Sequence, residues 1–112
     1  MTQENGIPKP RDKYILDKEK NIIPADLMEW ATFFETNDRI VKQEEIDGKF
    51  ISTVFLGLNH DFSGRGKPLI FETMIFKDGK EVYLNRYSTW KEAEEGHAEA
   101  VEWVKNGAKD DE

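Results

Sequence analysis

Two histidines and one carboxylate set in an apolar strand are the residues best suited to acid–base or metal chemistry in this chain. His60 follows a predicted strand, and His97 lies on the apolar face of a predicted helix, directly after Gly96. Glu72 is flanked by Leu69-Ile70-Phe71 and Thr73-Met74-Ile75. Histidine serves as general base and metal ligand near neutral pH. Two histidines with one carboxylate form the donor set of a known class of open metal site, and burial of the carboxylate would raise its pKa toward that of a base. No His-Glu-x-x-His pair is present, so convergence of His60, Glu72 and His97 depends wholly on the fold. The structural alternative is a packed His97, a surface His60, and Glu72 paired with Arg86 on the neighbouring strand.

The segment from Gly57 to Pro68 is the second place where residue types converge. It carries His60, Asp61, Ser63, Arg65 and Lys67 among three glycines, an island of positive charge in an acidic chain. Glycines with Arg and Lys suit a phosphate cradle of backbone N–H groups. The P-loop pattern fails, because Asp61 stands where its first glycine belongs and Pro68 follows Lys67. The nucleophile elbow fails too, because Asp61 precedes Ser63 by two. The segment is longer than a hairpin needs, which marks it for partner or ligand contact. The other contact candidates are Glu94, Glu95 and Glu99 on the acidic side of the last helix, with Trp103 as an anchor off its main apolar stripe.

These residues need elements to position them. Asp26 and Glu29 form a helix-opening capping pattern, with Pro24 suited to the first turn, and Leu27, Trp30, Ala31 and Phe34 repeat at helical spacing. Met28 and Phe33 widen that stripe, and Asn37 reads as a left-handed stop. An antiparallel meander then runs from about Arg39 to Tyr87. Its hairpins close at Asp47-Gly48 and Asp78-Gly79, dipeptides that supply the positive φ angles of tight primed turns. Thr89 and Glu92 open the closing helix with a capping box, and Gly107 stops it. Within it, Gly96 costs about 1 kcal/mol relative to alanine, a cost that close approach to the sheet explains. Tyr14 to Ile23 reads as a small N-terminal hairpin or as a strand laid along the sheet edge. The predicted architecture is therefore α+β: a four-stranded antiparallel meander with one helix before it and one capped helix after it. Residues 1–13 are a predicted mobile arm, 14–107 a single domain and 108–112 an acidic tail.

One strand is apolar on both faces, with Leu69, Phe71 and Ile75 alternating against Ile70, Met74 and Phe76. Two helices suffice for one sheet face. The other is expected to meet the N-terminal segment or a second copy of the chain, which predicts a homodimer.

Composition narrows the function classes. The 112 residues carry a net charge of −7, which disfavours phosphate backbones and anionic membranes and suits a basic protein partner. There is no cysteine, so disulfide and thiolate chemistry are excluded and a cytoplasmic location fits. No apolar run approaches a membrane span and Met1 to Pro10 contains no secretory apolar region. No cofactor is implied. A helix, antiparallel strands and a final helix also describe the double-stranded-RNA-binding fold. That module needs positive charge where this chain carries Glu92, Glu94 and Glu95.

Ser52-Thr53-Val54-Phe55-Leu56-Gly57-Leu58-Asn59-His60, Leu69 to Met74, Arg86-Tyr87-Ser88-Thr89-Trp90 and Gly96-His97 together resemble a family of small proteins encoded by bacteriophages and prophages, with no assigned activity. The resemblance covers about half the chain and implies a phage accessory protein acting inside a bacterium, with host interaction or counter-defence as its expected role. The leading expectation is a non-enzymatic binding module for a basic host protein. The second is a small metal-dependent or acid–base enzyme using His60, Glu72 and His97. The third is a nucleotide or phosphate-metabolite binder using Arg65 and Lys67.

Overall fold

The computed structural model describes residues 12–61, 63 and 66–107. Most of the predicted arm, Arg65 and the acidic tail therefore lie outside the described residues. Asp12 and Lys13, assigned by the sequence to the arm, are already tied down: Asn59 N–H donates to Asp12 O, and Lys13 bridges Leu58.

A hairpin of β1 (Tyr14–Leu16) and β2 (Ile22–Pro24) leads into helix α1 (Leu27–Thr36). Asp17 shapes the hairpin turn by accepting from the N–H groups of Glu19 and Asn21, both at 2.9 Å. Pro24 does not open the helix as expected; it pairs with Tyr14 in β2. The cap is Asp26, whose carboxylate accepts from Glu29 N–H at 2.8 Å while Glu29 reaches back to Asp26 N–H at 2.9 Å. Asn37 is extended (φ −125°) rather than left-handed, and its own N–H closes on Phe33 O. The buried side of α1 also differs from the predicted stripe. Phe33 is its buried residue, whereas Leu27 and Met28 are 61% and 73% exposed. The helix is short and lies at one end of the domain, so only its Trp30–Phe34 half meets the core.

The sheet follows the order β3 (Ile40–Ile46), β4 (Lys49–Phe55), β5 (Phe71–Lys77), β6 (Lys80–Tyr87), all antiparallel. Asp47-Gly48 (φ 52°, 80°) and Asp78-Gly79 (φ 53°, 79°) form the two predicted primed turns. Helix α2 (Trp90–Lys105) crosses the sheet and contacts every strand of it. Its capping box is complete, with Thr89 accepting from Glu92 N–H at 3.0 Å and Glu92 from Thr89 N–H at 3.1 Å.

All these added elements lie on one face of the sheet. Phe55 and Phe71 of that inner face join Tyr14, Leu16, Phe33 and Ala93 in one apolar cluster, and Ile51 and Ile75 join Ala100 and Val104 in a second. Ile70, assigned by alternation to the other face, precedes β5 and is fully buried in the first cluster. The outer face presents Ile40, Phe50, Val54, Met74, Phe76 and Leu84 by register, none of them buried. No described element covers it.

Candidate functional site

The structure separates the three residues that the sequence singled out for chemistry. Thr73 faces inward, so its neighbour Glu72 faces outward, where Arg86 Nε donates to its Oε2 at 3.0 Å. His97 stands on the inward face beneath α2 and is 3% exposed. His60 sits past β4 with its Nδ1 3.0 Å from Leu58 O. Among the described residues no group of three potential metal ligands comes together. A two-histidine, one-carboxylate site is therefore not formed.

His97 instead belongs to a polar row running across the core between the two apolar clusters. Its Nε2 lies 2.6 Å from Glu44 Oε2 on β3, and its Nδ1 lies 2.7 Å from Thr53 Oγ1 on β4. Thr53 Oγ1 in turn lies 2.5 Å from Thr73 Oγ1 on β5. The chemistry of the partners sets the proton positions. An ionised carboxylate only accepts, so Nε2 carries a hydrogen and donates to Glu44. With the single ring hydrogen on Nε2, Nδ1 accepts from the Thr53 hydroxyl, which accepts from Thr73. The hydrogen bond from His97 holds the Glu44 carboxyl below its usual range, against an opposing push from partial burial, with Lys42 adding to the lowering.

Thr53, His97 and Glu44 have the residue types of a hydroxyl nucleophile, a base and an acid, but not the access. Both threonines are fully buried, so neither hydroxyl can meet a substrate. The row instead fixes the height and rotation of α2 on the sheet. Gly96 serves the same close approach on the β6 side. A Cβ added there would lie well inside van der Waals contact with the hydroxyl end of the Tyr87 ring. The Tyr87 hydroxyl is buried without a hydrogen-bond partner at bonding geometry among the described residues, and that burial pushes the phenol up. Sequence reasoning missed Glu44 and both threonines. Thr53 and Thr73 do stand at inward positions of otherwise apolar strands, which is the one signal available.

Helix α2 divides the predicted acidic contact set between two grooves. On the β3 side, a groove of about 420 Å³ is lined by Glu44, Glu94 and Glu102 together with Lys42 and Lys105, over an apolar floor of Val41 and Val101. On the β6 side, a groove of about 340 Å³ is lined by Glu92, Glu95 and Glu99 together with Arg86, above Tyr87 and Gly96. Glu94, Glu95 and Glu99 are exposed and make no hydrogen bond or ion pair among the described residues. Trp103, predicted to anchor a partner, is half-buried and packs against Tyr83 with ring centroids 5.0 Å apart and planes tilted by 50°.

The Gly57–Pro68 segment is held by its own side chains. Asp61 accepts from the backbone N–H of Ser63 (3.1 Å) and Gly66 (2.9 Å) and from the Ser63 hydroxyl (2.5 Å). Asn59 Oδ1 accepts from the N–H groups of Asp61 and Leu69. Two backbone donors of the loop, the N–H groups of Ser63 and Gly66, thus already point at a carboxylate of the same loop. These bonds, the Ser63 hydroxyl first, hold the Asp61 carboxyl below its usual range. A lowered carboxylate contributes order that is complete above its ordinary titration range and is lost as pH falls through its folded value. Asp61→Ala is therefore expected to lower the protection factors of the Ser63 and Gly66 amides, as protonation of Asp61 does in the parent chain once the intrinsic exchange rate at each pH is divided out, while the melting temperature moves little. Unchanged exchange at both amides would refute this account of the loop.

No helix among the described residues is long and apolar enough to cross a membrane. Comparison with protein-family models, curated proteins and solved structures finds no match for this chain.

Proposed function

We propose that the chain is a non-enzymatic binding module that engages a basic protein through the exposed carboxylates of α2. The carrying observation is the row Glu92, Glu95, Glu99 at helical neighbour spacing, of which Glu95 and Glu99 have no cationic partner among the described residues. Like charges at this spacing each cost a helix about 0.2–0.5 kcal/mol, and a cationic partner relieves that repulsion. The net charge of −7 adds long-range attraction for such a partner. The resemblance to phage and prophage proteins supports a bacterial host protein as that partner, with counter-defence as the role and the bacterial cytoplasm as the place.

The enzyme reading loses its donor set with the separation of His60, Glu72 and His97. The phosphate-binding reading is less favoured, because the N–H groups of Ser63 and Gly66 are already bonded to Asp61. A second reading concerns the bare outer sheet face, with Phe50 41%, Leu84 42% and Ile40 42% exposed. Contiguous exposed apolar side chains mark interfaces, and we take this one as the contact between two copies of the chain.

The test of the first reading is capture of basic proteins from bacterial lysate at low and high salt, comparing the parent with Glu94→Lys/Glu95→Lys/Glu99→Lys. Capture that is weakened by salt and abolished by the reversal is expected. Capture that survives the reversal rules out α2 as the contact.

A further inference from the structure

Two aligned ways exist to stack the outer face on a copy of itself, and their charges differ. Sheets that pack face to face keep their strands within about 30° of one another. The two-fold axis lying between them then runs either along the strands or across them. The face has three rows by register. One end row carries Ile40, Val54, Glu72 and Arg86 across the four strands, and the other carries Glu45, Phe50, Phe76 and Glu81. The row between them contains Met74 and Leu84, with the Gln43 side chain bonded to Ser52 at 2.8 Å.

An axis along the strands lays β3 over the partner's β6. Glu45 then stands over the partner's Glu81, twice, and Arg86 stands over Ile40. An axis across the strands lays each strand over its own copy in the opposite direction. Arg86 then stands over Glu81 of the second copy, twice, Val54 over Phe50, Ile40 over Glu45, Glu72 over Phe76, and Met74 and Leu84 over themselves.

We propose that the chain forms a two-fold dimer through this face, with the axis across the strands and with reciprocal Arg86–Glu81 pairs at the β6 edge. The inference rests on the reading of the outer face as a contact between copies. Local bonding leaves both groups ready for it. Arg86 uses its Nε for Glu72 at 3.0 Å, and its terminal nitrogens have no partner among the described residues. Glu81 is exposed and likewise without a partner among them. Sheets pack about 10 Å apart, a gap that an arginine and a glutamate reaching toward each other span. Like charges placed face to face at an interface are strongly unfavourable, which selects against the other axis.

The area sets the strength. Strands of seven residues, as in β3 to β5, in a sheet of four strands give a planar footprint of roughly 440 Å² at about 3.3 Å per residue and about 4.8 Å per strand. Side-chain relief enlarges that figure, but it stays at the low end against the ~800 Å² per partner of a standard interface. A dimer that dissociates in the micromolar range is expected.

Sedimentation equilibrium of the full chain across the micromolar range tests both levels. A parent chain that stays monomeric, or a dimer unaffected by Phe50→Glu, overturns the face as a contact and the arrangement with it. A dimer that Phe50→Glu breaks supports the face. Arg86→Glu and Glu81→Arg are each expected to weaken self-association about tenfold or more, and an equimolar mixture of the two is expected to re-form a dimer of parental strength. That recovery supports the arrangement. A dimer indifferent to both reversals, or a mixture that does not recover, overturns the arrangement and leaves the face standing. Glu81 has no partner to lose, so Glu81→Arg reads the interface independently of folding.

Discussion

His97→Ala is expected to destabilise the domain by about 3 kcal/mol, a large share of the roughly 5–15 kcal/mol typical of a domain. The imidazole is 3% exposed and joins β3 to β4 through hydrogen bonds of 2.6 and 2.7 Å. Truncation leaves a cavity and strands the Thr53 hydroxyl with Thr73 as its one remaining partner. Chemical denaturation with an unchanged m-value measures the loss. Replacing all three buried members together (Thr53→Val, Thr73→Val, His97→Leu) is expected to cost less than His97→Ala, because no polar atom of the row is left buried and unsatisfied and Glu44 still reaches water. A triple variant as unstable as the summed single ones would show that the row is not a coupled network. The same row shapes the acid limb of stability. Glu44 has a folded pKa below its unfolded value, so its contribution is complete above the ordinary carboxylate range and disappears as pH falls through the folded value. Glu44→Gln is expected to flatten that limb.

Gly96→Ala is expected to destabilise by about 2 kcal/mol, although alanine is the better helix former by about 1 kcal/mol. The intrinsic gain is outweighed because the new methyl would occupy the space of the Tyr87 ring. Tyr87 is 9% exposed and packed in the larger apolar cluster, so its ring can make room only by giving up those contacts. The sign should therefore reverse when the ring is gone. In a Tyr87→Ala background, Gly96→Ala is expected to stabilise by up to about 1 kcal/mol. Thermal melts of the four chains in this cycle measure the coupling. A higher melting temperature for Gly96→Ala in the parent background refutes the close-approach account.

Local signals were readable from the chain because they act over a few residues. Asp26 with Glu29, Thr89 with Glu92, and the two Asp-Gly turns each act within four positions, and each formed where expected. Signals that compete with a neighbour's needs were less secure. Pro24 and Asn37 suit helix ends by type, yet Pro24 was taken by β2 and Asn37 stayed extended. Helical spacing placed Leu27 on the buried stripe of α1, but spacing cannot say that only the far half of that helix would meet a sheet.

The sequence by itself determined the element types, their order, the tight turns of both hairpins and the presence of one strand apolar on both sides. Those follow from turn geometry and from side-chain alternation, which are properties of adjacent residues. The tertiary structure alone decided which residues meet. His97 met Glu44, 53 positions away, rather than Glu72, because alternation turned Glu72 to the opposite face. It also decided that both helices and the N-terminal hairpin would share one side of the sheet. That choice left Phe50, Met74, Phe76 and Leu84 without a cover, and it is why the outer face, which no motif marks, has become the surface most in need of a partner.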